Sequence, residues 1–201
     1  MLIVITHPSI LRNEAAAITA LLNSGACYIH IRKPGASDEE VFRLMQSIPE
    51  KYYSKLTMHY HFNVALKLGL GGLHNSSHFK APQVAGVRQS AGCHSLEEVF
   101  VNDRKSLDYM FLSPVFNSIS KVGYCSAFSR EELIAFFQER GGQQAPVIAL
   151  GGISMDNVAE IKSMGFSGAA LLGSVWRLNG LVADVKATAE NFTNAYHIWK
   201  Q

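Results

Sequence analysis

Short apolar runs of strand length alternate with amphipathic segments along the whole chain. Eight of these runs are candidate strands, at residues 2–6, 27–32, 55–61, 72–74, 84–90, 109–113, 146–150 and 168–172. Repeated alternation of strand and helix is typical of a parallel sheet with right-handed crossovers. Eight such units predict that the sheet closes into a (β/α)8 TIM barrel.

The helices between the strands are marked by capping boxes, in which a serine is followed three residues later by a glutamate. These boxes start at Ser37, Ser95 and Ser129, and each precedes apolar residues at helical spacing. Too few residues separate the fourth strand from the fifth for a full helix, so the fourth helix is expected to be short or missing. A last helix is expected over residues 181–199, on the outside of the barrel.

The size and composition of the chain fit one barrel. It has 201 residues, of which 48% are apolar and 17% are charged. This length is at the lower end of the range for a complete barrel, which starts at about 200 residues. No linker or low-complexity tract interrupts the pattern, so residues 1–201 are expected to form a single compact domain.

Charge and apolar runs argue against two classes of partner. The formal net charge is +2, and Lys and Arg form no run longer than a pair, which argues against nucleic acid. No apolar run approaches the roughly 20 residues of a membrane span. The apolar start is too short for a signal peptide, so a cytoplasmic protein is expected. Cys27, Cys93 and Cys125 are widely spaced and are expected to be small buried residues.

Two glycine turns directly follow the last two candidate strands. Gly151-Gly152 follows the seventh strand, where Ser154 is expected to cap a helix, and Gly173-Ser174 follows the eighth, before an expected helix start. Such turns leave backbone N–H groups free, and a following helix adds its positive end. Barrels commonly bind phosphate after strands 7 and 8. The sequence therefore predicts a phosphate site and phosphorylated small-molecule substrates.

Cationic and hydroxyl side chains at other strand ends favour anion binding as well. Arg32 ends the second strand, where its guanidinium can hold a phosphate through two hydrogen bonds. The alternative for Arg32 is a structural salt bridge. The loop after the sixth strand carries Ser118, Ser120 and Lys121, which suit several phosphoryl oxygens or, alternatively, form an ordinary solvated loop.

Histidines also lie at strand ends. His30 shares one face of the second strand with Arg32. His59, His61 and His74 are a candidate set for Zn²⁺, which imidazole binds, whereas carboxylates would favour Mg²⁺. The alternative is that each histidine is a hydrogen-bonded residue of the barrel mouth, and no metal ligand is assigned.

Several segments resemble the family of thiamine phosphate synthase and its relative, thiazole tautomerase. They are IHIRKPG at residues 29–35, followed by SAGCHSLEE, YMFLSPVFNSISK, VIALGGISMDN and GAALLGSV. The resemblance covers nearly the whole chain and implies one compact barrel and a homodimer. It also implies a transferase of thiamine biosynthesis that joins hydroxymethylpyrimidine diphosphate to thiazole phosphate and releases pyrophosphate, with Mg²⁺ as cofactor.

The resemblance assigns roles to particular residues. Arg32 matches the arginine that contacts pyrophosphate, and the segment from Ser118 to Lys121 matches the Thr-x-Thr-Lys pyrophosphate loop. The expected catalytic residues are Arg32, Lys121 and His30. The expected substrate-binding residues are Ser118, Ser120, Gly151, Gly152, Gly173 and Ser174.

Other positions depart from the family pattern. The second-strand motif Gln-x-Arg-Glu-Lys reads HIRKP here, so Pro34 stands where a pyrophosphate lysine is expected, with Lys33 beside it. The acidic Mg²⁺ ligands after strands 3 and 4 are replaced by segments around His59 and His74, and Gly92 replaces a serine of the fifth strand. Mg²⁺ is therefore implied by the resemblance, while its usual ligands are missing from this chain.

These departures leave two alternatives to a synthase-like transferase. One is a thiazole phosphate tautomerase, an isomerase in which His30, His61 or His94 acts as general base. Pro114, however, stands where tautomerases have a histidine. The other alternative is a non-catalytic binder of thiazole phosphate or thiamine phosphate, which would keep the phosphate site without the metal site.

Overall fold

The computed structural model describes residues 1–117, 128–140 and 144–201. Eight parallel strands close into a barrel in chain order, and the last strand pairs with the first. The strands are β1 Leu2–Ile5, β2 Tyr28–Ile31, β3 Leu56–Met58, β4 Gly72–Asn75, β5 Arg88–Cys93, β6 Tyr109–Leu112, β7 Val147–Leu150 and β8 Gly168–Leu171. The predicted (β/α)8 barrel is confirmed.

Seven α-helices accompany the barrel within the described residues. They are α1 Glu14–Asn23, α2 Asp38–Gln46, α3 Phe62–Leu68, α4 Leu96–Asp103, α5 Arg130–Arg140, α6 Val158–Ser163 and α7 Val185–Lys200. A 3₁₀ helix, Glu50–Lys55, precedes β3, and a small hairpin of β9 Leu178–Asn179 and β10 Val182–Ala183 precedes α7. None of the described helices is long and apolar enough to cross a membrane.

The predicted starts of three helices are confirmed at the level of their caps. The Ser37 hydroxyl accepts from the N–H of Glu40, whose carboxylate accepts from the N–H of Ser37 in return. The same exchange joins Ser129 and Glu132. The Ser95 hydroxyl caps α4, but the Glu98 carboxylate accepts from the N–H of His94 and not from that of Ser95.

The chain between β4 and β5 is not helical, as the short spacing of these strands predicted. The prediction for β5 itself is displaced, because residues 84–87 form a turn and the strand begins at Arg88. Gly86 lies in this turn with φ +77°, a conformation that strands do not use. The last helix begins at Val185, since the segment before it forms the β9–β10 hairpin.

Two apolar clusters hold the barrel together. The larger lies between the strands and the surrounding helices, and includes Val4, Ile29, Leu73 and Phe192. The smaller lies inside the barrel and consists of Ile3, Ile5, Tyr109, Phe111, Ile148 and Ala170. The interior cluster comes from β1, β6, β7 and β8, so only one half of the barrel interior is apolar.

The other half of the interior is polar. Successive inward positions of β2 to β5 carry Tyr28, His30, Thr57, His74, Arg88 and Ser90. Near the amino ends of these strands, the Arg88 guanidinium lies 3.9 Å from the centre of the Tyr28 ring. Arg88 also donates to the carbonyl of Ser54 at 2.7 Å, which fixes it near the amino ends of the strands. The histidines lie nearer to the carboxyl ends, where the mouth is.

Candidate active site

The turns after β7 and β8 form one edge of the barrel mouth, which we call the glycine rim and define as Gly152, Gly173 and Ser174. Leu150 pairs with Ala170, so the two turns start from neighbouring strands at the same level. Among the described residues, the N–H groups of the glycine rim donate to no backbone carbonyl. Three amide donors at one edge of the mouth therefore have no backbone partner within the described chain.

Two further observations show that the glycine rim has unused capacity. The Ser174 hydroxyl is buried and has no hydrogen-bond partner within the described chain. A Cβ added to Gly173 would meet nothing within 4 Å, so open space lies above this residue. Buried polar groups are nearly always paired in folded proteins, and a lone hydroxyl beside free amides therefore suggests a missing polar ligand.

The β7–α6 turn is held by Asn157. Its side-chain amide donates to the carbonyl of Gly152 at 2.9 Å, and its oxygen accepts from the N–H of Ser154 at 2.9 Å. The regular part of α6 begins at Val158, and Asn157 before it makes no side-chain cap bond. Ser154 makes the bonds of the predicted N-cap: its hydroxyl accepts from the N–H of Asp156, and its carbonyl accepts from the N–H of Val158.

The helix ends contribute less to this edge than the sequence predicted. The α6 helix has only six residues and starts beyond the turn. The helix start expected after Gly173 is wrong, since Val175 and Trp176 both donate to the carbonyl of Leu172 and close a single turn. Free amides, and not helix dipoles, therefore provide the positive character of the glycine rim.

The loop after β6 runs directly past the glycine rim. Gly151 and Gly152 adopt φ +95° and +67°, and a Cβ on Gly151 would lie 2.8 Å from Pro114. A Cβ on Gly152 would collide with the backbone of Phe116 at 2.8 Å and with the carbonyl of Asn117. The two glycines are required for this close approach. Ser118, Ser120 and Lys121 lie outside the described residues, but the chain enters their segment from beside the rim.

Arg32 lies at the carboxyl end of β2, across the mouth. Its backbone is fixed by Thr6, whose hydroxyl accepts from the N–H of Arg32 at 2.9 Å. The side chain is half-buried, and its guanidinium makes no hydrogen bond or ion pair with any described residue. The salt-bridge alternative is therefore not observed within the described chain, and the charge of Arg32 remains available at the mouth.

Lys33 points away from the mouth and is fully buried. Its ammonium donates to Glu14 at 2.5 Å and to the carbonyls of His7 and Ser9 at 2.6 and 2.8 Å. Burial lowers the pKa of Lys33 and raises the pKa of Glu14, while their mutual attraction opposes both changes. All three donors of Lys33 are used, so this residue holds the β1–α1 loop and does not replace the lysine lost at Pro34.

Three histidines meet inside the polar half of the barrel, and we call His30, His59 and His74 the histidine cluster. Their ring nitrogens lie within 4.8 Å of one another. A hydrogen bond of 2.9 Å joins Nδ1 of His30 to Nε2 of His59, and the rings of His59 and His74 lie 4.2 Å apart. His30 is completely buried, whereas His59 and His74 keep 7% and 5% exposure toward the mouth.

The histidine cluster is neutral. Burial lowers the pKa of His30 and His59 well below the usual value, and the other histidines add to this effect. Burial alone lowers the pKa of His74 to about 3. The cluster therefore adds polarity but no charge beneath the mouth at neutral pH.

The other histidines considered from the sequence lie elsewhere. His61 leaves the cluster: its Nδ1 pairs with Asp38 at 2.5 Å and its Nε2 bonds to the carbonyl of Lys33 at 3.0 Å. The candidate zinc set of His59, His61 and His74 is thus wrong in one member, because His30 takes the place of His61. His94 is exposed and bonds to the carbonyl of Ser113.

The residues at the ends of β3 and β4 do not suit Mg²⁺. This ion prefers oxygen ligands, mainly carboxylates and water. The potential metal-ligand group that the described residues contain is the histidine cluster, which offers three nitrogens. Asp38, at the start of α2, is already paired with His61, and Glu14 is buried with Lys33.

The sequence did not single out three residues that organise the histidine cluster. The Tyr109 hydroxyl lies 2.6 Å from Nε2 of His30, the Thr57 hydroxyl lies 3.4 Å from that of Tyr109, and the Ser90 hydroxyl lies 2.9 Å from Nδ1 of His74. Polar residues at alternate positions of short strands are the signal that marks them, because such positions share the inner face.

The prediction of small buried cysteines is confirmed for Cys93 but not for Cys27, which is half-buried. Both are free thiols. Burial raises the pKa of Cys93 to about 11, which makes its thiol unreactive. Cys125 lies outside the described residues.

Comparison with known proteins agrees with this geometry. The model of the family described as thiamine monophosphate synthase matches residues 1–175. The crystal structure of a thiamine phosphate pyrophosphorylase from Bacteroides thetaiotaomicron is 33% identical, with a TM-score of 0.85 over 99% of this chain and 97% of that one.

Curated relatives of this chain carry the name thiamine-phosphate synthase, and two of them serve as examples. The protein of Halalkalibacterium halodurans is 24% identical over 197 residues, which is 93% of this chain and 89% of that protein. The protein of Latilactobacillus sakei is 28% identical over 137 residues, and this match spans 65% of this chain and 60% of that protein. These names do not favour the tautomerase or the binder. The chain belongs to the thiamine monophosphate synthase family, whose members are transferases.

Proposed function

We propose that this protein is a thiamine phosphate synthase. It would join hydroxymethylpyrimidine diphosphate to thiazole phosphate and release pyrophosphate. The bond between the pyrimidine methylene and pyrophosphate breaks, and the thiazole nitrogen forms the new bond to that carbon. Two anions must be held for this reaction, the phosphate of the acceptor and the departing pyrophosphate.

The observation that carries the proposal is the free hydrogen-bonding capacity of the glycine rim. Three amide donors and the unpartnered hydroxyl of Ser174 suit the oxygens of a phosphate monoester. In this proposal Gly152, Gly173 and Ser174 hold the thiazole phosphate, with Gly151 shaping the turn. The open space above Gly173 is where the phosphate would lie.

The leaving group is assigned to Arg32, which lies across the mouth from the glycine rim, and to the loop after β6. The free guanidinium of Arg32 would bind pyrophosphate, together with Ser118, Ser120 and Lys121. Stabilising the charge that develops on pyrophosphate is the main electrostatic contribution. Holding the thiazole nitrogen near the reacting carbon adds the effect of proximity. His30 lies beneath both groups and would act through His59 and Tyr109, since it is fully buried.

The proposal also covers the oligomeric state, the metal ion and the cellular location of the enzyme. The family resemblance implies a homodimer that uses Mg²⁺, and the composition of the chain fits a cytoplasmic enzyme. The residues at the ends of β3 and β4 offer nitrogen ligands, which fit Mg²⁺ poorly, so the roles proposed above belong to the side chains and amides of the protein. The metal requirement is part of the test below.

The test is an assay of the purified protein with both precursors. Thiamine phosphate is measured by chromatography in separate reactions with Mg²⁺, Mn²⁺ and Zn²⁺. We expect product in at least one of them, and about a 100-fold loss of kcat/KM in Arg32→Ala, because the charge on the leaving group is then unbalanced.

The matched control is Arg43→Ala. Arg43 is an exposed arginine of α2 that pairs with Glu39 on the same helix, so its removal should leave the rate unchanged. Absence of thiamine phosphate above background with every metal would overturn the proposal. Equal losses in both variants would show that Arg32 has no specific role.

A further inference from the structure

The histidine cluster brings three nitrogen ligands together without a carboxylate. The three side chains come from neighbouring strand ends, His30 from β2, His59 from the residue after β3, and His74 from β4. Their ring nitrogens lie within 4.8 Å of one another. In a tetrahedral zinc site the metal–nitrogen distance is about 2.0–2.1 Å, so ligand nitrogens are roughly 3.4 Å apart. Metal binding therefore requires side-chain rotations that bring the ring nitrogens to this spacing.

The hydrogen bonds around the cluster leave one nitrogen of each ring directed inward. Nδ1 of His74 bonds to the Ser90 hydroxyl, which leaves its Nε2 free. Nε2 of His30 bonds to the Tyr109 hydroxyl, which leaves Nδ1 for the cluster. Metal-binding histidines typically bond through the second ring nitrogen in this way, which fixes the tautomer and the orientation of the ring.

The third ring can offer its Nε2 once the proton between His59 and His30 has moved. Nε2 of His59 lies opposite Nδ1 of His30, where they now share one proton in a hydrogen bond of 2.9 Å. His30 can move this proton to its Nε2, facing the Tyr109 oxygen, without losing it to solvent. Both nitrogens would then present lone pairs toward the same point, as metal binding requires.

There is room beside the cluster for an ion and an entry path. A Cβ added to Gly92 would meet only Nε2 of His74, at 3.7 Å, so the space next to this nitrogen is open. His59 and His74 retain slight exposure at the mouth. Three histidines and an open fourth position are typical of catalytic zinc sites.

The surrounding charges limit the expected affinity. Arg32 and Arg88 both lie within electrostatic range of the cluster. Their charges oppose a bound cation, and the described residues place no carboxylate in the metal-ligand group. The affinity should therefore be lower than that of closed structural zinc sites with thiolate ligands.

We propose that His30, His59 and His74 form a binding site for a borderline divalent transition metal such as Zn²⁺, with a fourth position open to the mouth. The site differs in ligand chemistry from the Mg²⁺ site that the family resemblance implies. It goes beyond the proposed synthase activity and does not depend on it, because binding is measured without substrates.

The test uses the full chain, freed of metal by a chelator and carrying no affinity tag. It is titrated with Co²⁺, whose visible absorption reports tetrahedral coordination, and with Zn²⁺ in competition with a chromogenic chelator. We expect one equivalent of each metal to bind, with a tetrahedral Co²⁺ spectrum that Zn²⁺ abolishes. His59→Ala and His74→Ala should lose the spectrum, whereas the exposed His197→Ala should keep it.

A second set of variants guards against misfolding. Ser90→Ala removes the partner of His74 without removing a ligand, and should weaken Zn²⁺ binding by about 10- to 100-fold while the protein stays folded. Absence of stoichiometric binding in the wild-type chain would overturn the proposal. The same holds for a Co²⁺ spectrum that survives in folded His59→Ala and His74→Ala. Either result would leave the synthase proposal intact, since that is judged by product formation alone.

Discussion

The two sides of the barrel mouth use their polar groups in opposite ways. On the side of β2 and β3, three basic side chains are already paired, while Arg32 is not paired with any described residue. The pairs are Lys33 with Glu14, His61 with Asp38, and His30 with His59. On the side of β7 and β8, the polar groups are backbone amides, and within the described chain they are free. Of the basic residues in the second-strand motif, Arg32 alone therefore offers its charge at the mouth, whereas the small residues of the glycine rim offer backbone amides.

The difference follows from the free energy needed to leave each kind of polar group without a partner. A buried ammonium such as that of Lys33 must be paired, because an isolated charge in the interior is very unfavourable. Amide groups at the mouth of a barrel stay accessible to water, so they can remain free until a ligand arrives. Arg32 resembles the glycine rim in this respect, since it is half-buried and keeps its charge at the mouth.

The largest expected effect comes from breaking the buried ion pair of Lys33 and Glu14. Lys33→Met leaves the Glu14 carboxylate buried without its partner, and should lower the free energy of unfolding by about 3–5 kcal/mol. Urea denaturation measures this change. The double variant Glu14→Gln/Lys33→Met removes both charges and should recover much of the loss. If Lys33→Met were as stable as wild type but failed to bind pyrophosphate, Lys33 would be a ligand and the contrast would be wrong.

The next largest effect is expected from a substitution in the glycine rim. Gly173→Asp places a carboxylate in the open space above the rim, and should weaken binding of thiazole phosphate or thiamine phosphate by about 100-fold or more, because two anions would lie in contact. Calorimetry measures the affinity, and the melting temperature should change little. Gly173→Ala is the control: its methyl group meets nothing within 4 Å, so a loss below about 10-fold is expected. Unchanged affinity in Gly173→Asp would place the phosphate elsewhere.

A smaller effect separates the two glycines of the rim. Gly152→Ala combines φ +67° with a contact of 2.7 Å to Cβ of Phe116, and should destabilise the fold by about 2–3 kcal/mol. Thermal unfolding of Gly152→Ala beside Gly173→Ala gives the comparison directly. Equal stability of the two would mean that the loop after β6 does not press on the β7 turn.

The smallest effect tests whether His61 takes part in chemistry. His61→Ala removes the pair with Asp38 and should cost about 1 kcal/mol, with no change in phosphate affinity. Thermal unfolding and calorimetry on the same samples measure both quantities. Loss of thiazole isomer conversion in this variant, with its fold intact, would instead support the isomerase alternative.

Most of the fold could be predicted from local sequence, and the errors of this prediction have local causes. Serine caps with a glutamate three residues on placed the starts of α2, α4 and α5, because both partners lie within one turn. The helix start expected after Gly173 failed because Val175 and Trp176 both bond to the carbonyl of Leu172 and close a single turn. The position of β5 failed because Val84 and its neighbours are apolar but bend at Gly86.

The sequence by itself determined the eight-unit barrel and the glycine turns, since periodicity and backbone freedom are properties of neighbouring residues. Only the tertiary structure decided that His30 joins His59 and His74 while His61 turns to Asp38. It also decided that Lys33 is buried against Glu14. These outcomes depend on which side chains meet across strands far apart in the chain, and on which charges the interior can neutralise.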